Sequence, residues 1–258
     1  MRVRVLGSSD AFNSSGRCHA SYLVEGAGAS PVAIDFGATG LLALRKVGVS
    51  ARDIAAVIVT HLHGDHFGGL PFLLLDGMYY EPRSSALELV GAVGLEARGQ
   101  ALFRAFYSDV ADRARPFETR YRELPPGEGA YVAGLRVETF PALHMDPPEF
   151  PLCLRITGPD GKVIAFSGDT EPCDGLFQSA AGADLLIAEC TGLRPPCGRH
   201  CTWEDWRTMF DAVLSAGSKR VVLSHLGADV RARADDLMAQ CPPGIELIFA
   251  DDGMTIDV

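Results

Sequence analysis

The sequence predicts an α/β protein of the α+β type in which two β-sheets pack face to face, with helices on their outer faces. Three observations predict this fold class. Short β-type runs that end in Gly, Pro or Asp alternate with longer stretches of helical spacing. The helical stretches are distributed through both halves of the chain. No Pro- or Ser-rich linker divides the 258 residues, so we expect residues 1–258 to form a single domain.

The first half of the chain contains an opening antiparallel meander, followed by alternating strands and helices. Its strands are predicted at residues 3–6, 22–24, 32–34, 54–60 and 87–90. Its helices are predicted at residues 41–47, 70–80 and 95–106. The run at 54–60 is too short and too rich in β-branched residues for a helix, which indicates a buried strand.

The second half continues this alternation. Its strands are predicted at residues 136–140, 152–157, 163–167, 185–188 and 220–224, and two of its helices at 175–180 and 232–238. Thr202 is predicted to cap a further helix, with Asp205 as its third residue, that runs to Leu214. A closing pair of strands at 246–250 and 254–258 flanks a turn at 251–253.

Composition and charge exclude several classes of function. The chain has 23 Lys and Arg against 33 Asp and Glu, and its net charge of −10 opposes non-specific binding to nucleic acid. This charge does not exclude a local basic groove. Its apolar runs are far shorter than the ~20 residues that a membrane helix needs, and the N-terminus alternates like a strand rather than a signal peptide. The seven scattered cysteines do not suggest a secreted disulfide framework, so we expect a reduced, cytoplasmic protein.

The segment THLHGDH at residues 60–66 carries the most chemical information. Three imidazoles and one carboxylate (His61, His63, Asp65 and His66) lie within six residues, directly after a buried strand. A strand would place His61 and His63 on one face, and Gly64 permits a turn that brings the other two towards them. Zn²⁺ binds imidazole nitrogen and carboxylate oxygen at roughly 2.0–2.2 Å. Four ligands this close in sequence cannot all reach one tetrahedral ion, so two metals are predicted.

Three more residues of ligand type stand where a predicted strand meets a loop. These are His144, Asp169 and His225. Functional groups are common at such positions. Position alone leaves open whether each is a ligand or an ordinary loop residue.

The chain resembles the metallo-β-lactamase superfamily in motifs that cover nearly its whole length. These are HLHGDH at 61–66 with FGGLP at 67–71, His144, SGDT at 167–170 and SH at 224–225. The resemblance implies a four-layer αββα sandwich with a two-metal site at one edge. It implies one metal on His61, His63 and His144, a second on Asp65, His66 and His225, and a bridging role for Asp169.

Two further motifs resemble the ribonuclease Z-like subgroup of that superfamily. They are AECT at 188–191 and GRHCTWED at 198–205, and the opening LGSSDAF at 6–12 is also similar. The resemblance implies that Glu189 orients His200 and stabilises its protonated form. His200 could then donate a proton to a leaving alkoxide or contact a phosphate oxygen, since a carboxylate partner raises the pKa of an imidazole. A purely structural pair is the alternative.

The resemblance also implies a metal-dependent hydrolase. Two Zn²⁺ ions, or Mn²⁺ or Fe in their place, would generate a bridging hydroxide at neutral pH and bind a phosphoryl oxygen. This chemistry makes hydrolysis of a phosphodiester the favoured reaction. Asp65 could accept a hydrogen bond from the nucleophile. Alternatives are hydrolysis of lactones, thioesters or sulfate esters on the same fold, a transfer-RNA 3′-end endoribonuclease, and a non-enzymatic metal-stabilised binding module.

The expected substrate is a small molecule. Subgroup members that process transfer RNA carry a long arm that grips RNA, whereas only 25 positions separate His144 from Asp169 and no Lys/Gly-rich insertion occurs elsewhere. A small phosphodiester such as a cyclic nucleotide therefore fits better than nucleic acid, and no membrane partner is expected.

Four weaker features leave alternatives open. Cys197 and Cys201 flank His200 and suggest a structural role or an accessory metal site. The segment at 16–19 could contact a substrate anion through Arg17 or be a solvated loop. Phe103, Phe106 and Tyr107 are expected in the core or a dimer contact, with substrate stacking as the alternative. The apolar region at 70–80 is compatible with a homodimer.

Overall fold

The structure of the chain is a computed structural model, which describes residues 1–26 and 30–258. Within these ranges, fourteen strands form two seven-stranded sheets, and eight α-helices accompany them. Two short 3₁₀ turns, at Ser14–Gly16 and Ala51–Asp53, lie in loops of the first half.

The first sheet combines strands of the N-terminal half with the last strand of the chain. Its spatial order is β14 (Thr255–Asp257), β1 (Arg2–Gly7), β2 (Ser21–Glu25), β3 (Val32–Ile34), β4 (Ala56–Val59), β5 (Leu87–Gly91) and β6 (Thr119–Glu123). Neighbours are antiparallel from β14 to β3 and parallel from β3 to β6. In the parallel half, Ile58 of β4 lies opposite Ile34 on one side and Val90 on the other. All four β4 residues are buried, as expected for a strand covered on both faces.

The second sheet has the same two-part construction. Its spatial order is β13 (Glu246–Phe249), β12 (Arg220–Ser224), β11 (Leu185–Glu189), β10 (Val163–Phe166), β9 (Leu152–Thr157), β8 (Leu135–Pro141) and β7 (Gly129–Val132). Neighbours are parallel from β13 to β10 and antiparallel from β10 to β7.

The helices pack on the outer faces of the two sheets. The first half contributes α1 (Gly40–Lys46), α2 (Gly64–Phe67), α3 (Leu70–Tyr79) and α4 (Leu95–Phe106). The second half contributes α5 (Asp174–Ala180), α6 (Trp203–Ser215), α7 (Ala228–Ala232) and α8 (Ala234–Met238). Across the described ranges, no helix has the length and apolar character needed to cross a bilayer.

Two apolar cores result from the alternation of side chains along each strand. In β10, Ile164 and Phe166 point into the core that both sheets share, whereas Ala165 points into a second core. That second core lies between the second sheet and its helices, where Trp206 and Phe210 of α6 are fully buried. The predicted fold class, two sheets face to face with helices outside, is confirmed.

Three element predictions were wrong or incomplete. The closing strands do not pair with each other, because β13 lies in the second sheet and β14 in the first. The helix predicted at 232–238 is two short helices, since Arg233 (φ −117°, ψ 11°) interrupts the helical backbone. Strands β6 and β7 were not predicted. Both are edge strands with exposed residues, β6 has the largely polar sequence TRYRE, and β7 is only four residues long.

Candidate metal centre

The predicted ligand residues meet at one edge of the sandwich, beyond the ends of strands from both sheets. Residues 61–66 follow β4 of the first sheet. In the second sheet, His144 follows β8, Asp169 follows β10 and His225 follows β12. Ligands of open α/β sheets bind outside the carboxyl ends of parallel strands, and three of these four segments follow strands in the parallel halves.

The loop after β4 differs from its predicted form. His61 and His63 were expected on a strand, but β4 ends at Val59 and His63 is the N-cap of α2, with extended backbone (φ −80°, ψ 150°). The helix α2 replaces the predicted turn at Gly64 and is closed by a hydrogen bond of 2.9 Å from the Gly68 N–H to the Gly64 carbonyl. This single helical turn carries Asp65 and His66, and the four predicted residues of the segment still converge.

One group of potential ligands consists of His61, His63 and His144. One ring nitrogen of each lies within 4.8 Å of those of the others, and His144 Nε2 is 3.0 Å from His63 Nδ1. A second group consists of Asp65, His66, Asp169 and His225, whose potential ligand atoms also lie within 4.8 Å of one another. The structure thus brings together all seven residues that the sequence suggested as ligands.

Asp169 lies between the two groups. Its Oδ2 atom is 3.2 Å from His66 Nε2 and 3.4 Å from His225 Nε2. The same oxygen is 3.8 Å from the Nε2 atoms of His61 and His144. Asp65 Oδ2 approaches only the second group, at 3.1 Å from His66 Nε2 and 3.4 Å from His225 Nε2.

The buried nitrogens of the site fit bound metal. The Nε2 atom of His61 is buried and has no hydrogen-bond partner within residues 1–26 and 30–258. The buried Nε2 atom of His66 lies 3.1–3.2 Å from two carboxylate oxygens, but not in hydrogen-bond geometry. A buried polar atom without a partner destabilises the fold, and nitrogen and carboxylate oxygen together are a donor set that zinc accepts. The residues present therefore suit bound cations at both groups.

Partners on the far side of three of the rings turn their Nε2 atoms towards the centre. The Nδ1 atoms of three rings bond to outer partners: His66 to Asp35 Oδ2 at 2.8 Å, His144 to the Arg199 carbonyl at 2.8 Å, and His225 to Thr191 Oγ1 at 2.8 Å. Such outer bonds fix the orientation of metal-binding histidines. The sequence analysis did not single out Asp35 or Thr191. The position of Asp35 directly after β3, like that of Asp169 after β10, was a signal that could have identified it.

The two groups differ in the protonation that their surroundings favour. Burial lowers the pKa of His61 well below its ordinary value and that of His144 to about 4. Burial also opposes the charged form of His225, but the charge of Asp169 and the hydrogen bond with Asp65 outweigh it and raise the pKa to about 9. A cation that binds the second group must therefore displace protons.

The predicted pair of Glu189 and His200 is also formed, at the rim of the centre. His200 Nδ1 and Glu189 Oε1 are 2.9 Å apart, and the fully buried carboxylate also accepts hydrogen bonds from the Thr170 N–H and the Thr191 hydroxyl. Burial opposes the charged form of His200, but the hydrogen bond and charge of Glu189 outweigh it and raise the pKa of His200. The ring of His200 stacks on that of His225, with centroids 5.3 Å apart.

The structure shows the surroundings of two weaker sequence features, Arg17 and the cysteines at 197 and 201. Arg17 Nε lies 2.7 Å from Asp251 Oδ1, so this guanidinium already has a carboxylate partner. Cys197 and Cys201 are free thiols, and no cluster of three ligand-type residues in the described ranges includes either.

Comparison with known proteins identifies the family. The family model of the anti-Pycsar protein Apyc1 matches residues 1–238. The chain belongs to this family. Ribonuclease Z of Mycobacterium bovis (strain BCG / Pasteur 1173P2) is 31% identical over 196 residues, which cover 72% of this chain and 69% of that protein. Ribonuclease Z of Methanothermobacter thermautotrophicus is 27% identical over 305 aligned positions, which cover 100% of this chain and 97% of that protein.

Solved structures agree with the fold of this Apyc1-family protein. The short form of human tRNase Z superposes with a TM-score of 0.77 at 23% identity and covers 100% of this chain and 99% of its own. The metallo-β-lactamase fold protein YhfI of Bacillus subtilis also gives 0.77, at 20% identity, with 99% of each chain covered. The resemblance to the metallo-β-lactamase superfamily and its ribonuclease Z-like subgroup is thus confirmed, and the chain is a hydrolase of that fold.

Proposed function

We propose that this Apyc1-family protein is a dinuclear zinc phosphodiesterase that hydrolyses a small phosphodiester such as a cyclic nucleotide. The position of Asp169 is the observation that carries the proposal. Its Oδ2 atom lies 3.2–3.8 Å from the Nε2 atoms of four imidazoles that belong to two different groups. A carboxylate oxygen shared in this way suits two neighbouring cations better than one.

Each proposed ligand set uses groups that zinc accepts. One cation would be held by His61, His63 and His144, the other by Asp65, His66 and His225, with Asp169 shared between them. When bound, a zinc pair supplies water activated at neutral pH and neutralises charge on phosphoryl oxygens. Mn²⁺ or Fe could occupy the same nitrogen and oxygen donors.

The protein residues around this centre would position the nucleophile and the leaving group. Asp65 is proposed to accept a hydrogen bond from the attacking water in addition to its ligand role. His200 is proposed to donate a proton to the leaving alkoxide, since Nδ1 is engaged by Glu189 and leaves Nε2 for the substrate. Glu189 is then a positioning residue that orients the ring and favours its protonated form.

The size of the chain supports a small substrate. The segment between His144 and Asp169 consists of a short loop and the hairpin of β9 and β10. Within the described residues it contains no protruding arm. The Methanothermobacter relative aligns over 305 positions, more than the 258 residues of this chain, so it carries segments that this chain lacks. The net charge of −10 also disfavours a polyanionic partner.

A second candidate function is cleavage of transfer-RNA precursors. The relatives named ribonuclease Z, at 27–31% identity, favour it. The same centre would cleave the RNA phosphodiester, and the two candidates differ only in what the surface outside the centre can bind.

The test is an activity panel with zinc-loaded protein. The panel contains bis(p-nitrophenyl) phosphate, a 3′,5′-cyclic nucleotide, a transfer-RNA precursor, and a lactone, a thioester and a sulfate ester. We expect turnover of the two small phosphodiesters, loss of at least about 100-fold in Asp65→Ala, and no change in Asp53→Ala, which removes an exposed aspartate that belongs to neither ligand group. Cleavage of the RNA alone would favour the second candidate. Turnover of only the lactone, thioester or sulfate ester would contradict both.

We also propose that a second copy of the chain packs on the apolar surface formed by α1 and the end of α3. Leu42, Tyr79 and Tyr80 are exposed on these helices, and Leu41, Leu75, Tyr79 and Tyr80 line one shallow hollow between them. Exposed apolar patches commonly mark an interface. Light scattering should give twice the chain mass of 27.6 kDa, and Tyr80→Glu should shift it towards 27.6 kDa. A native mass of one chain would contradict this.

A further inference from the structure

Two cysteines that belong to neither proposed ligand group lie close together in the second core. Cys153 is the second residue of β9 and is fully buried, whereas Cys173 is the N-cap of α5 and is partly exposed. Cys173 Sγ is 3.7 Å from the Pro141 carbonyl oxygen, and β8 pairs Pro141 with Leu152, the residue before Cys153. The fold therefore places the thiol at the start of α5 over the thiol of the strand beneath it.

The two thiol groups are in direct contact. A side-chain hydrogen bond joins Cys153 and Cys173, and Cys173 Sγ is also 3.3 Å from Thr170 Oγ1. All seven cysteines of the chain are free thiols, so the contact joins two unbonded sulfur atoms. Because the S–S bond of a disulfide is about 2.05 Å long, two thiols already in contact need only a small movement to form one.

The surroundings of the pair divide it into one thiolate and one thiol. The hydrogen bond that Cys153 donates has the largest effect on Cys173. Together with hydrogen bonds from Thr170 and from backbone N–H groups of α5, it outweighs burial and lowers the pKa of Cys173 to about 5. The same thiol contact and burial raise the pKa of Cys153 well above its ordinary value. At neutral pH the partly exposed Cys173 is therefore the nucleophile, and the buried Cys153 keeps its proton.

We propose that hydroperoxides oxidise the Cys153–Cys173 pair to a disulfide. The Cys173 sulfur attacks one oxygen of hydrogen peroxide, the O–O bond breaks and hydroxide leaves, so Cys173 becomes a sulfenic acid. The sulfur of Cys153 then attacks Cys173 Sγ and forms the S–S bond. The S–O bond breaks, and its oxygen leaves as water with the proton of the Cys153 thiol. The two sulfurs supply the two electrons that reduce the peroxide.

The disulfide should affect the candidate metal centre through Thr170. This residue follows the proposed ligand Asp169, and its hydroxyl accepts a hydrogen bond of 2.9 Å from the Leu143 N–H in the loop after β8. Oxidation removes the thiolate charge that Thr170 contacts at Cys173. We therefore expect zinc-loaded protein to release zinc to a chelating dye faster after oxidation than before it. Equal rates of release would overturn this link to the centre.

Peptide mass mapping of the full chain tests the disulfide. Reduced protein is treated with hydrogen peroxide at neutral pH, the remaining thiols are blocked with N-ethylmaleimide, and the digest is analysed without reductant. We expect two peptides linked through Cys153 and Cys173, which dithiothreitol separates. Free thiols at both positions after treatment, or a link from Cys173 to another cysteine, would overturn the proposal.

Three variants test the order of the steps. In Cys153→Ala, the sulfenic acid on Cys173 has no thiol to react with and should be trapped by dimedone. In Cys173→Ser, Cys153 should stay a free thiol after the same treatment, and its oxidation would overturn the assigned order. Cys241→Ser is the matched control, because it removes another partly exposed thiol, and it should form the disulfide as the native protein does.

Alkylation measures the thiolate without any oxidant. Iodoacetamide reacts with thiolates, and burial raises the pKa of Cys241. At about pH 6, Cys173 of the native protein should therefore be alkylated about 5-fold faster than Cys241, or more. This advantage should shrink in Cys153→Ala, which lacks the hydrogen bond to Cys173. Equal rates at the two cysteines of the native protein would overturn the assignment of Cys173 as the nucleophile.

Discussion

At the scale of single residues, the orientation of His66, His144, His200 and His225 is fixed by the partner of Nδ1. Glu189 shows how one carboxylate serves several residues. It accepts hydrogen bonds from the His200 ring, the Thr170 N–H and the Thr191 hydroxyl, and that hydroxyl contacts His225 Nδ1 at 2.8 Å. One buried acid therefore connects the proposed proton donor to the proposed ligand set.

The first prediction concerns Glu189→Gln. The negative charge of Glu189 helps to raise the pKa of His200, so its removal should lower that pKa. A proton donor is active below its pKa and inactive above it. The alkaline limb of the kcat–pH profile should therefore move to lower pH by about 1 unit in Glu189→Gln.

Two comparisons make this test specific. His200→Ala should abolish the limb that Glu189→Gln shifts, and circular dichroism should report unchanged folding for both variants. A limb that stays in place in Glu189→Gln, despite lower activity, would favour a purely structural role for the pair.

At the scale of elements, the centre depends on how closely the loop after β3 approaches α2. Gly37 follows β3, and a Cβ atom built on it would lie 1.9 Å from the Asp65 carbonyl oxygen and 3.0 Å from His19 Cβ. A side chain cannot be accommodated there unless α2 moves. Because α2 carries Asp65 and His66, its displacement should change the second ligand group more than the first, in which only His63 borders α2.

The second prediction is that Gly37→Ala weakens one of two metal sites. We expect elemental analysis to give about two zinc ions per native chain and closer to one for Gly37→Ala. Gly64→Ala is the matched control, because a Cβ at that position in α2 would meet no atom within 4 Å in the described part of the chain, apart from its chain neighbours and the backbone of α2. Two zinc ions in Gly37→Ala, or the same loss in Gly64→Ala, would contradict the argument.

At the scale of the whole molecule, the centre joins the two sheets. Residues 61–66 come from the first sheet, whereas His144, Asp169 and His225 come from the second. A ligand that binds only the folded state stabilises it by mass action. Cations held across the sandwich should therefore act as a link between its halves.

The third prediction is that removal of metal lowers the melting temperature. We expect chelation with EDTA to lower Tm by at least about 5 °C, since each kcal/mol corresponds to about 2–4 °C at this chain length. Calorimetry of native, chelated and zinc-reconstituted protein measures this. An identical Tm in all three states would show that cations do not link the sheets.

The fourth prediction concerns pH in the chelated protein. The pKa of His225 is raised to about 9 in the fold, above the ordinary value near 6.5, so its contribution to stability is complete below about 6.5. That contribution is lost as pH rises towards 9. Urea unfolding of chelated protein should show a falling free energy of unfolding across this window, and chelated His225→Ala should show a smaller decline. A rise across the window would contradict the assignment.

Some properties of the molecule could be predicted from sequence because they depend on neighbouring residues. The HLHGDH segment encodes its own ligand types within six positions, and the capping box of Thr202 and Asp205 forms as predicted at the start of α6. The buried strand β4 was also predicted, since an apolar β-branched run needs no knowledge of its neighbours. The fold class followed from this local patterning.

Other properties were decided only by the tertiary structure, because they depend on contacts between residues far apart in sequence. Only strand pairing determines that β13 and β14 enter different sheets, and edge strands such as β6 carry no apolar signal. The bond from His66 to Asp35 joins residues 31 positions apart, and the space beside Asp65 is lined by four separate segments of the chain. The sequence by itself therefore determined the ligand chemistry and the layered fold, whereas folding determined the orientation of each ligand and the shape of the space beside them.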